Sequence, residues 1–167
     1  MALLEILKFP DPRLRTKAQP IEKIDDNLLR QIDDMYETMY ESQGVGLAGT
    51  QVNFHSRIFV MDISPSHNEP LCVMNPEILH KEGRRFEEEA CLSVIGAYEK
   101  VERAEKIRLR MMDIHGKIIE IDAEGFMAHC IQHEIDHLNG ILFIDHLSRL
   151  KQERLRTKMK KQIAKES

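Results

Sequence analysis

The chain has 167 residues, 42% of them hydrophobic and 31% charged, with a formal net charge of −4. That length supports one domain with a real core, and the composition excludes a disordered or collagen-like chain. The three cysteines, Cys72, Cys91 and Cys130, are too few and odd in number for a disulfide framework. With no basic start and no long apolar run at the N-terminus, this points to a soluble protein of the reducing cytoplasm with no membrane contact.

The first predicted element is a helix. Asp25 or Asp26 can cap it, Leu28, Leu29, Ile32, Met35 and Met39 follow at helical spacing, and Gly44 is read as its end. A glycine-rich loop follows, from Gly44 to Gln51. Residues 57–63 are β-branched and aromatic and read as a strand, and residues 71–79 as another, interrupted at Pro76. Residues 106–112 alternate polar and apolar; a turn at 114–117 then leads into residues 118–121, which makes a hairpin. Residues 126–138 form a helix stopped by Asn139-Gly140. Ser148 caps a last helix running toward Lys165. The layout is α+β: antiparallel β-sheets around a central helix, with a helix in the N-terminal half and another at the C-terminus.

His133-Glu134-Ile135-Asp136-His137 reads H-E-x-x-H. On a helix, residues four apart share a face, so His133 and His137 can grip one metal ion, while Glu134 stands close enough to act as a general base. The same spacing also arises in a charged amphipathic helix without any metal. Catalytic metal sites use three protein ligands, so a further His, Cys, Asp or Glu is needed. Cys91 is one candidate, although taken alone it reads more readily as a small buried residue.

Three motifs in order resemble the peptide deformylase family of bacterial type: Gly44-x-Gly46-Leu47-Ala48-Gly49-x-Gln51, Glu89-Ala90-Cys91-Leu92-Ser93, and Gln132-His133-Glu134-x-Asp136-His137-Leu138-x-Gly140. Residues 6–15 are also similar to the family's opening, so the resemblance spans the chain. It implies removal of the formyl group from formyl-methionyl nascent chains, with release of formate. Cys91, His133 and His137 would bind one divalent metal and leave a position for water. Glu134 would take the water's proton and pass it to the leaving amine. The Gln51 amide and the Leu92 backbone N–H would receive the oxyanion. Gly44, Val45, Gly46, Ala90, Phe126, His129 and Cys130 would contact the substrate and shape a methionine pocket, with His133 in its wall. His129 also lies one turn before His133, where it competes as a ligand; with Cys91 filling the set it is read as a polar wall or surface residue. Asp136 is expected to be structural. The family is generally iron-dependent, so Fe²⁺ is expected, with Zn²⁺, Ni²⁺ or Co²⁺ able to substitute.

Three positions depart from the family motifs: Gly49 stands for alanine, Ala90 for glycine and Ile95 for proline. Gly49 should be tolerated. Ala90 would be strained if its backbone needs a positive φ, and Ile95 frees a turn that proline would fix. The expectation is an active enzyme whose rate or preference the departures can alter.

Residues 151–167 carry seven Lys/Arg against two Glu, a net of +5 against −9 for the rest. Leu155, Met159 and Ile163 make a narrow apolar seam. The domain reading is a catalytic unit over 1–147 and a basic helix over 148–167, either packed as part of the same domain or docking on ribosomal RNA. The default assembly is a monomer. A zinc endopeptidase shares H-E-x-x-H, but usually takes a third His or a Glu downstream, and of these types only His146, Glu153 and Glu166 follow His137. A catalytically weakened ribosome-associated homologue is the other alternative.

Overall fold

The computed structural model describes residues 2–166, apart from the side chains of Ile163 and Glu166. The first helix, α1 (Asp26–Glu41), starts where the Asp25 side chain accepts a hydrogen bond from the Leu28 N–H at 2.9 Å. Its buried stripe is Leu28, Ile32, Met35 and Met39. It ends before Gly44: Ser42 is the C-cap, and the left-handed residue is Gln43, at φ 58°. The glycine is not needed as a stop, because the Gly44 N–H already closes on the Met39 carbonyl at 3.0 Å.

The glycine-rich stretch is not a loop throughout. It contains a short strand, β1 (Gly46–Ala48), and then a single 3₁₀ turn over Gly49–Val52. Next come β2 (Ile58–Met61) and β3 (Leu71–Glu82), then β4 (Arg85–Cys91), β5 (Val94–Arg103), β6 (Lys106–Met112) and β7 (Ile118–Glu124). Five strands form one antiparallel sheet in the order β1-β2-β3-β6-β7, and β4 and β5 form a separate two-stranded sheet. β3 runs three residues beyond the expected 71–79. It passes Pro76 with a register shift between Met74 and Glu77, which spares the ladder the missing N–H. β7 is likewise longer than expected. The β4–β5 hairpin is absent from the sequence reading.

The second helix, α2 (Gly125–Leu138), carries the pentad and stops at Asn139, with Gly140 at φ 74°. The large sheet lies between the two helices. β2 shows how: Ile58 and Val60 pack toward α1, while Phe59 and Met61 pack toward Ile131 and Leu138 of α2. Alternation sends successive side chains to opposite faces, so both are apolar and all four are buried. A third cluster joins Leu7 and Leu14 to Val94 and Val101 of the hairpin and to Phe143 and Leu147.

The last helix, α3 (Arg149–Glu166), is preceded by Ser148, whose Oγ accepts from the Lys151 N–H at 3.3 Å. Leu155 and Met159 of its seam pack on the third cluster. The side chain of Ile163 lies outside the described residues. Among the described residues no helix is long and apolar enough to cross a membrane.

The N-terminal segment straps the elements together. The Leu7 N–H donates to the Gln51 carbonyl and the Phe9 N–H to the Ser93 carbonyl, both at 2.7 Å. Lys8 Nζ reaches the Leu92 carbonyl at 3.0 Å, and the Ala18 N–H meets the Leu138 carbonyl at 2.8 Å.

Candidate metal centre and cleft

Cys91 is the last residue of β4 and pairs with Val94 across a two-residue turn, Leu92-Ser93. That turn presents its sulfur to the inward face of α2. Cys91 Sγ, His133 Nε2 and His137 Nε2 converge: the sulfur is 3.3 Å from His137 Nε2, and the two imidazole nitrogens are 3.2 Å apart. All three donor atoms lie within 4.8 Å of one another. Ligands about 2.0–2.3 Å from one tetrahedral ion stand about 3.3–3.7 Å apart, so a single divalent ion fits this set. The chemistry fits as well. His133 Nδ1 is 2.7 Å from Glu89 Oε1; a proton held there leaves the Nε2 lone pair facing the other two donors.

Two further donors fix the sulfur. The Ser93 N–H lies 3.4 Å from Sγ, and Gln51 Nε2 lies 3.6 Å from it. Gln51 is itself pinned, since its Oε1 accepts from the Ala48 N–H at 2.9 Å and its Nε2 donates to Ser93 Oγ at 3.1 Å. Its amide N–H₂ is therefore turned toward the metal centre.

Glu134 is buried, with Oε1 3.8 Å from His133 Nε2 and no hydrogen-bond partner for Oε2 among the described residues. Burial pushes its carboxyl up to about 7, helped by the charge of Glu89 and opposed by His133 and Arg103. Burial also drives His137 well below the usual imidazole range, and a charged His133 beside it adds to this. For His133 burial works the same way, but hydrogen bonds to Cys91 and Glu89 outweigh it and hold the imidazole well above that range. Of two imidazoles this close, only one takes a proton.

Glu89 is the residue that sequence reasoning missed. Burial alone would raise its carboxyl, yet Arg103, His129 and His133 hold it well below the usual carboxylate range. Arg103 clamps it with Nε at 2.7 Å and a second guanidinium nitrogen at 2.9 Å, and also reaches Asp136 at 2.7 Å. Asp136 is paired with Arg103 and with His146, at 2.8 Å, as a structural carboxylate. The signal for Glu89 was available: it stands two residues before Cys91, hence on the same face of a strand.

A cleft of about 460 Å³ opens above the centre. All seven expected contact residues line it: Gly44, Val45, Gly46, Ala90, Phe126, His129 and Cys130, along with Gln51, Cys91, Leu92, His133 and Glu134. His137 lies beneath, 1% exposed. Burial pushes the Cys130 thiol up to about 12, so it is a neutral wall. His129 is 2% exposed, hence no surface residue, and is not among the three converging donors. Ala90 lies in β4, outside the residues with positive φ, so the strain considered for it does not arise. Gly49 is more than tolerated: a Cβ there would overlap the Phe54 carbonyl oxygen and press on Ile58 and Ser56. Ile95 sits half-exposed at the start of β5.

Fold and site together define a metal-dependent hydrolase of the H-E-x-x-H kind, in which a cysteine from upstream stands where a third ligand is needed. The model of the polypeptide deformylase family matches residues 3–153, and the chain belongs to that family. It is 54% identical over 161 residues to the peptide deformylase of Chromobacterium violaceum, covering 96% of each chain. Its structure is similar to that of the peptide deformylase from Legionella pneumophila, with a TM-score of 0.93, 46% identity and coverage of 98% and 97% of the two chains. It is also similar to the Ehrlichia chaffeensis enzyme in complex with actinonin, at a TM-score of 0.92, 38% identity and coverage of 97% and 98%. The chain is thus a hydrolase of protein biosynthesis.

Proposed function

We propose that the chain removes the formyl group from N-terminal formyl-methionine of nascent polypeptides in the cytoplasm, using one divalent metal held by Cys91, His133 and His137. The observation that carries this reading is the convergence of one sulfur and two imidazole nitrogens at the floor of the cleft, beside a Glu134 oxygen that has no hydrogen-bond partner among the described residues.

A divalent ion held there supplies Lewis acidity, lowering the pKa of water and polarising the formyl carbonyl. Glu134 takes a proton from the attacking water and returns it to the leaving amine nitrogen; a carboxyl buried as this one is can do both near neutral pH. Gln51 Nε2 and the Leu92 backbone N–H donate to the developing oxyanion. Gly44, Gly46 and Ala90 lie along the peptide. Val45, Phe126, His129 and Cys130, with His133, bound the slot for the methionine side chain. Fe²⁺ is the proposed native ion, since a mixed thiolate and imidazole set accepts it as well as Zn²⁺, Ni²⁺ or Co²⁺. One chain supplies every group, so a monomer suffices.

In this reading residues 1–147 are the catalytic unit. The basic helix over 148–167 docks on ribosomal RNA, where its Lys/Arg excess meets phosphate. Ribosome co-sedimentation that falls steeply with salt and is lost on deleting residues 151–167 supports that role; binding insensitive to both removes it.

The testing experiment is formate release from a formyl-Met tripeptide by anaerobically prepared protein loaded with Fe²⁺ or Ni²⁺. Turnover is expected, with near-silence for Glu134→Ala. A metal-loaded chain that releases no formate would refute the reading.

A further inference from the structure

His129 is a histidine where the wall of an apolar slot asks only for bulk. It is 2% exposed, and its Nδ1 has no hydrogen-bond partner among the described residues. Burying an imidazole without a polar partner is costly, and an aliphatic side chain would fill the wall equally well. The polar group that the ring meets is Glu89: His129 Nε2 lies 2.5 Å from Glu89 Oε2. That approach is a close polar contact rather than a linear hydrogen bond, since the ring N–H does not point along it.

The surroundings of Glu89 are symmetrical. Oε1 accepts from a guanidinium nitrogen of Arg103 at 2.9 Å and lies 2.7 Å from His133 Nδ1. Oε2 accepts from Arg103 Nε at 2.7 Å and faces His129. Each oxygen thus meets one guanidinium nitrogen and one imidazole. The two imidazoles stand one helical turn apart on α2, so both carboxylate oxygens are fixed along the same helix face.

We propose that His129 is a positioning residue for the metal centre: it holds the second oxygen of Glu89, and so fixes the hydrogen bond that aims His133 Nε2 at the ion. The inference rests on the metal-site reading above. A group acting through Glu89 has a smaller effect than a direct partner of a ligand, whose loss costs about 10–100-fold in metal affinity.

The test is the rate of Zn²⁺ transfer from the loaded full-length protein to a colorimetric chelator, with the visible spectrum of the Co²⁺ form as a second readout. His129→Leu should release zinc about 3–10-fold faster than the unsubstituted chain and alter the Co²⁺ bands. His129→Gln, which keeps an N–H donor, should stay within about twofold. Should His129→Leu fail to fold, His129→Phe fills the same volume without a polar atom and makes the same comparison. Equal release from the unsubstituted chain and His129→Leu, or equally fast release from His129→Gln and His129→Leu, overturns the role of His129 alone. An unsubstituted chain that takes up no metal overturns the metal-site reading and this inference with it.

Discussion

Gly46 leaves the space that Glu134 occupies: a Cβ at Gly46 would stand 3.1 Å from both Cδ and Oε1 of the glutamate. The backbone of an edge strand therefore forms one wall of the space around Glu134. Gly46→Ala should push the Glu134 carboxylate aside by a few tenths of an ångström. Misplacement of a catalytic group on a sub-ångström to ångström scale costs up to about 100-fold in rate. The expected outcome is a kcat lowered about 10–100-fold with metal content unchanged, measured by formate release alongside metal analysis. Unchanged kcat would show that Glu134 has room to spare.

Removing the charge of Glu89 should harm both stability and metal retention. Glu89→Gln leaves Arg103 buried, with Asp136 as its one acidic partner among the described residues, and deprives His133 Nδ1 of a carboxylate. Breaking a buried pair costs about 3 kcal/mol, and losing the partner of a ligating histidine costs about 10–100-fold in metal affinity. Denaturant midpoints and chelator competition measure the two losses separately. Arg103→Lys should be intermediate, because lysine cannot reproduce the two-pronged clamp.

Gly49→Ala would restore the residue that the family motif carries, yet it should destabilise this chain. The added methyl group would overlap the Phe54 carbonyl and meet Ile58 Cγ2 at 3.2 Å. Overpacking of this kind costs about 1–3 kcal/mol. A thermal midpoint lowered by about 2–10 °C is the expected result. A midpoint equal to that of the unsubstituted chain would mean that the 53–56 loop yields freely.

Acid should destabilise the fold through Asp62, in the turn after β2. Asp62 is 2% exposed, and burial alone would raise its carboxyl. Hydrogen bonds from the Ser64 and Tyr40 hydroxyls and from the Ser64 and Glu69 N–H groups outweigh this and hold it at about 2. A carboxyl with a folded pKa below its unfolded value stabilises the fold above about pH 4, and that contribution disappears as pH falls through about 4 to 2. Its loss amounts to at most about 2 kcal/mol. Denaturant midpoints between pH 6 and pH 2, for the parent chain and Asp62→Asn, check this. The variant should start lower and show the shallower decline. Parallel curves would show that Asp62 titrates alike in the folded and unfolded chains.

The parts of this fold legible in the sequence are those whose side chains answer to one periodicity. α2 is legible because its spacing, its Asn139-Gly140 end and the pentad agree. β2 is legible because a β-branched run buried on both faces reads the same from either side. The β4–β5 hairpin was missed because Glu87-Glu88-Glu89 looks like a solvated charge run, while only Glu89 is buried. Its burial depends on Arg103, fourteen positions away, and on two histidines of a distant helix. No local pattern shows such a partnership. The α1 end was misplaced for a similar reason: Gln43 adopts the left-handed turn that glycine was expected to take.

The strap formed by Leu7 and Phe9 bears on the order in which this molecule can be assembled. Leu7 and Phe9 leave a ribosome before the Gln51 and Ser93 to which they bond, and the centre closes only when His133 and His137 have followed. Contacts so far apart along the chain are slow to form and cannot be made piecemeal. A protein that trims the beginnings of other newly made chains therefore gains its own chemistry only after α2 has been made. A half-made copy holds a bare thiol and a loose glutamine, with nothing yet to bring them into use.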